Sequence, residues 1–150
     1  MNPVPRRPDT EPTGQRYTFP RSHRLKRRRL IRSLFDRRRD DVSTEAVGCI
    51  RLLYRVVPRS ATGHDVPLQI GFAPGRRTET AVQRNRIRRL LREVYRVHQH
   101  LLVDLFLRRD ATLIVMALFR GRPHQVEGGI RRDLPKAMHR VADAIEAQRA

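Results

Sequence analysis

The chain has 150 residues, a length that suits one domain with a core of its own. Its 33 basic residues against 15 acidic ones give a formal net charge of +18, and every basic residue except Lys26 and Lys136 is arginine, so an acidic partner is called for and the forked guanidinium favours RNA or another structured phosphate surface. A single cysteine, Cys49, excludes an internal disulfide framework and a four-cysteine zinc site, and no run approaches the roughly 20 apolar residues of a membrane span.

Residues 1–16 carry four of the ten prolines and read as a disordered tail, leaving 17–149 as a single RNA-binding α/β domain. The arginines near the start have no apolar stretch behind them, so no signal peptide is expected and the expected location is the cytoplasm. The stretch Phe19-Pro20-Arg21-Ser22-His23-Arg24-Leu25-Lys26 leads into a short helix over about 26–36, where Leu30, Ile31, Leu34 and Phe35 share one face.

Residues 46–57 read as a strand, with room for a short extra strand near 43–48. Ile50, Leu52, Tyr54 and Val56 alternate onto one face, and Arg51, Leu53 and Arg55 onto the other. Residues 58–67 are a loop, and 68–73 form the next strand, expected to lie antiparallel beside the first. Pro74-Gly75 ends it. Arg76 and Arg77 then lead to a helix capped by Thr78 or Thr80, with Glu79 suited to its positive end.

That helix, over about 80–98 and extendable through Leu105, carries the strongest signal. Ile87, Leu90, Leu91 and Val94 form an apolar stripe. Asn85, Arg86, Arg88, Arg89, Arg92 and Arg96 fan over the opposite side, with Arg84 on the shoulder and Glu93 as the one acid. Unpaired like charges four residues apart destabilise a helix, which implies a polyanion to neutralise them. Residues 110–118, almost wholly apolar, suit a central strand buried on both faces. The last helix lies within 125–147, secure from 134 onward because Gly128-Gly129 and Pro135 weaken its start; Leu134, Met138, Val141, Ala142 and Ile145 form its stripe.

Catalytic machinery of a protein nuclease is missing from this pattern. Asp40, Asp41, Glu45, Asp104 and Asp110 are scattered, and His98 and His100, two apart, would turn to different sides of a helix. No phosphate-binding glycine loop of a known kind is present. A DNA-binding helix would need side chains that reach base edges, whereas an almost all-arginine face suits backbone contact.

Residues 17–119 resemble the protein subunit of bacterial ribonuclease P. Phe19-Pro20 followed by Arg24-Leu25-Lys26 is similar to that family's opening motif, Leu68-Gln69-Ile70-Gly71-Phe72 to the strand before its signature helix, and the run from Ala81-Val82 through Arg84-Asn85-Arg86 to Glu93 to the signature itself. The resemblance implies an α+β fold, a two-layer α/β sandwich in the order α-β-β-β-α-β-α. Its small four-stranded sheet would have a left-handed crossover, as in the second domain of ribosomal protein S5. It also implies the role: subunit of an endoribonuclease whose RNA carries the chemistry, removing the 5′ leader of precursor tRNA with Mg2+ bound mainly by RNA and substrate. No catalytic residue, no protein-bound metal, no membrane and no obligate protein partner are implied.

By the same resemblance, Arg84, Asn85, Arg86, Arg88, Arg89 and Arg92, extended by Arg76, Arg77, Arg24 and Lys26, bind RNA. Phe19, Ile31, Phe35, Leu52 and Tyr54 line a leader-binding cleft between the first helix and the sheet. Ile31 stands where the family often has an aromatic residue, Glu79 where it commonly has glycine, and Ala73-Pro74-Gly75-Arg76-Arg77 departs from its usual small and basic segment. The alternative reading is a ribosomal or other structural RNA-binding protein, which would share the charge and the sandwich without needing these motifs together.

Overall fold

A computed structural model describes residues 18–75 and 80–149. The first helix, α1, is Arg28–Leu34, shorter at both ends than its apolar spacing suggests. The short extra strand expected near 43–48 is present, and it takes the start of the strand expected over 46–57: β1 (Ser43–Val47) runs antiparallel to β2 (Ile50–Val57), paired from Ser43↔Tyr54 to Val47↔Ile50. Gly48, at φ 54°, makes the turn between them.

β3 is Leu68–Ala73 and β4 is Thr112–Phe119, and the sheet order is β1-β2-β4-β3. β2 and β3 are therefore not neighbours, contrary to the expectation from their short connection. β4 lies between them, antiparallel to β2 and parallel to β3. The physical reason lies in β4 itself: a strand apolar on both faces needs cover on both, and the centre of the sheet provides it.

α2 (Ala81–His98) and α3 (His100–Phe106) cross from β3 to β4, with a break at Gln99, so the helical pattern does continue to about residue 105. Thr80 is the cap, its Oγ1 accepting the Gln83 N–H at 3.1 Å. α4 is Val126–Arg149, beginning well before the residue-134 limit set by Gly128, Gly129 and Pro135. Burial of Val126, Ile130, Leu134, Ala137, Met138, Val141 and Ile145 along one stripe outweighs those poor helix formers. Gly129 also has a packing role, since a β-carbon there would press on the Cys49 sulfur.

The sheet separates two cores. On one face Ile50, Leu52, Tyr54, Leu68, Ile70, Leu113, Val115 and Ala117 pack against α2, α3 and α4. On the other, Leu53, Val57, Ile114 and Met116 meet Leu25, Leu30 and Leu34. The mixed α+β class with a four-stranded sheet is as expected. α1, with Leu25 and parts of the loops around it, covers this second face among the described residues, and at seven residues the helix is too short to cover it all.

Candidate nucleic-acid interface

α2 divides as its periodicity dictates. Ile87, Leu90, Leu91, Val94 and Tyr95 are buried against the sheet and α4, while Asn85, Arg86, Arg88, Arg89 and Arg92 are exposed and Arg84 is half-buried at the shoulder. Among the described residues, Arg84, Arg88, Arg89 and Arg92 make no ion pair. Arg86 differs: its Nη2 meets Glu127 Oε1 of α4 at 2.7 Å, and the other oxygen of Glu127 lies 3.5 Å from Arg131. Arg96 pairs with Glu93 at 2.6 Å and holds that carboxyl below its usual range. Packing of α4 on α2 thus adds Arg131 to the basic face, a neighbour that only the tertiary fold reveals.

The five residues expected to line one cleft do not come together. Leu52 is 0% exposed and Tyr54 4% exposed, both in the core beneath the helical layer, where burial pushes the Tyr54 phenol up. Phe19 packs edge-on against Phe72 and Tyr95, with ring centroids 5.8 and 5.7 Å away, on the same side. Only Ile31 and Phe35 lie on the face that α1 covers. The reason is strand parity: α1 packs over Leu53, so Leu52 and Tyr54 must point away from it.

What α1 leaves open is a groove of about 630 Å³ across the ends of β3 and β4. Phe35, 50% exposed, stands at its edge, with Arg37, Arg51, Ala73, Leu118 and Arg120 around it. Arg55, on the same face of β2, is fixed by Asp41 Oδ2 at 2.9 Å and by Ser33 Oγ at 2.9 Å. Hydrogen bonds from Arg39 and Arg55 hold the Asp41 carboxyl well below the ordinary carboxylate range. The sequence pattern gives no RNA-contact role to Arg37, Arg51 or Arg120, although it places Arg51 on this face of its strand. The alternation of Arg51, Leu53 and Arg55 was the signal that a basic face existed there.

Arg24 and Lys26 are exposed on the segment that crosses the β3 edge, Arg24 lying over the Phe19 ring at 5.3 Å. Arg76, Arg77 and Glu79 lie outside the described residues. No set of three or more His, Cys, Asp or Glu side chains among the described residues is placed to hold a metal ion. Cys49 is buried, and burial pushes its thiol up to about 11, which removes it as a nucleophile at neutral pH.

A family model described as Ribonuclease P matches residues 19–141. The ribonuclease P protein component of Desulfovibrio desulfuricans is 38% identical over 85 residues, 57% of this chain and 59% of that protein. That of a Synechococcus species is 36% identical over 81 residues, 52% of this chain and 55% of that protein. The chain thus spans less than two thirds of the curated relatives it matches. The solved ribonuclease P protein of Staphylococcus aureus superposes with a TM-score of 0.53 over 79% of this chain and 94% of that one, at 18% identity, a likeness of fold.

Proposed function

The chain belongs to the ribonuclease P protein family, and from that membership we propose that it is the protein subunit of a ribonuclease P, binding a catalytic RNA and the 5′ leader of precursor tRNA. The observation that carries this reading is the α2 face: Arg88, Arg89 and Arg92 exposed and Arg84 half-buried at the shoulder, none of them in an ion pair among the described residues. Guanidinium groups along two helical turns grip an RNA backbone through charge-assisted hydrogen bonds.

The groove beside α1 takes the leader. Phe35 offers a ring face on which a base stacks without regard to its identity, and Arg37, Arg51 and Arg120 meet the phosphates. That combination suits leaders of varied sequence. The chain supplies binding and orientation; hydrolysis of the phosphodiester belongs to the RNA, with Mg2+ held by RNA and substrate phosphates. By neutralising phosphates where two RNAs meet, the arginines lower the Mg2+ needed to bring them together. The setting is the cytoplasm, where precursor tRNA is found; no helix among the described residues is long and apolar enough to cross a membrane.

Leader cleavage of a precursor tRNA at low Mg2+ tests the reading in three reactions: chain alone, ribonuclease P RNA alone, and both. Cleavage only, or far faster, in the mixture is expected. Cleavage by the chain alone would place a catalytic site on it, and a folded chain that gives no stimulation would move it to the structural RNA-binding proteins.

A further inference from the structure

We infer that a second concave surface, at the N-terminal end of β3, is a binding pocket for a single RNA backbone phosphate. The inference rests on the reading of the chain as an RNA partner and deepens it: Arg24 and Lys26, given an RNA role by the family resemblance, are joined by Arg21 and Arg27 around one cavity apart from α2 and the groove. The segment 21–27 crosses the edge of β3, where Arg24 forms a parallel bridge with Ile70 and the Leu25 N–H donates to the Ile70 carbonyl at 3.0 Å. This path bends Arg21, Arg24, Lys26 and Arg27 around one cavity of about 250 Å³, closed by Gln69 and His64. All four cations are exposed, no acid lines the cavity, and none of the four pairs with a carboxylate among the described residues.

The walls are fixed by contacts that leave the charges uncompensated. Gln69 Nε2 donates to the Ser22 carbonyl at 2.8 Å and sets the turn. Arg24 lies over Phe19, and Arg27 Nη1 donates to the Ala61 carbonyl at 3.1 Å. Gly63, at φ 78°, makes room for this: a β-carbon there would overlap the Arg27 guanidinium. Four positive charges held together repel one another, and a bound anion removes that cost. The donors suit phosphate oxygens, and the four cations outnumber the single ring at the cavity, the His64 imidazole, so the contact is read as one to backbone rather than to a particular base. Gln69 and Ala73 mark the pocket and groove ends of β3, about 13 Å of strand apart, and α2 packs on the opposite face of the sheet.

The phosphate can come from the catalytic RNA or from precursor tRNA, and two binding measurements separate them. A full-length variant carrying Arg21→Gln, Lys26→Gln and Arg27→Gln keeps Arg24 for its contact with Phe19. Its affinity for ribonuclease P RNA, and the affinity of the assembled complex for precursor tRNA, are measured against salt, with Arg88→Gln/Arg92→Gln as the reference. In one of the two arms affinity should fall about tenfold and the salt slope by about one unit. A loss in the first arm assigns the phosphate to the catalytic RNA, and a loss confined to the second assigns it to precursor tRNA. If the pocket variant binds normally in both while the α2 reference is weakened, the pocket is not an RNA site and the proposed function stands. If neither variant loses affinity, both are overturned. Arg21→Gln alone, at an exposed side chain, carries the same test should the triple variant unfold.

Discussion

Asp133 ties the β1–β2 turn to α4. It is 3% exposed, one oxygen accepts the Cys49 N–H at 3.0 Å, and Arg132 Nε meets the other at 2.9 Å. Gly48 sits so close that a β-carbon there would overlap the carboxylate. Hydrogen bonding from Arg132 holds the Asp133 pKa at about 2, below its ordinary 3.8, against burial, which acts to raise it. A carboxyl lowered on folding contributes stability above its unfolded pKa and loses it as pH falls through the folded one. The window is therefore about pH 4 down to pH 2, and the contribution near neutral pH is about 2 kcal/mol. Asp133→Asn should lower stability by about 1–3 kcal/mol near neutral pH and by less at about pH 3. Denaturant melts at the two pH values check it, and an equal loss at both would remove the charge from the explanation.

Phe35 and Tyr54 separate groove from core in the same way. Phe35→Ala should weaken binding to a precursor with a leader by about 1–3 kcal/mol relative to mature tRNA and leave stability nearly unchanged. Tyr54→Ala should lower stability by about 3–5 kcal/mol without that selectivity. Binding and melting of both variants decide between the two faces of the sheet.

Among the elements, α2 was the most legible, because an apolar stripe at helical spacing and an arginine face allow only one orientation against a core. Its ion pairing was not. Glu127 is 41 residues away from Arg86, and nothing in the local pattern places the acid beside it. That contact divides the arginines: Arg86 is already partly neutralised, whereas Arg88 and Arg92 are not. Arg88→Gln should reduce the salt slope of RNA binding by about one unit, and Arg86→Gln by less. Glu127→Gln should strengthen RNA binding a few-fold, by removing a negative charge from the phosphate-facing surface and releasing Arg86 and Arg131. Weaker binding by Glu127→Gln would instead make the pair a brace that orients Arg86. α4 was legible only in its second half, since the burial that sustains its start depends on Cys49 and the β1–β2 turn reaching it.

At the scale of the whole molecule, the double-sided apolar run of β4 announced a central strand but not which strands flank it. Two strands joined by a short loop are ordinarily neighbours. Here β4 enters between them, and that insertion sets Arg51 of β2, Leu118 of β4 and Ala73 of β3 side by side at the groove. The same arrangement spreads cations over α2, the groove and the β3 edge, on a chain of net charge +18. Self-repulsion of that size opposes the compact state, and salt relieves it over a screening length of about 10 Å at 0.1 M. Salt also competes with RNA for the same surfaces. Raising salt from about 50 to about 200 mM should therefore raise the melting temperature of the free chain while lowering its RNA affinity by about 10³-fold or more if six or more phosphates are contacted. Polyanion binding to the folded state should recover the stability that low salt removes, because a ligand of the native state stabilises it by mass action. Melting curves at the two salt concentrations, with and without ribonuclease P RNA, measure both effects. A melting temperature that falls with salt in the free chain would mean that internal pairs such as Arg86–Glu127 and Arg55–Asp41 outweigh the repulsion, and that the basic surfaces are compensated within the fold.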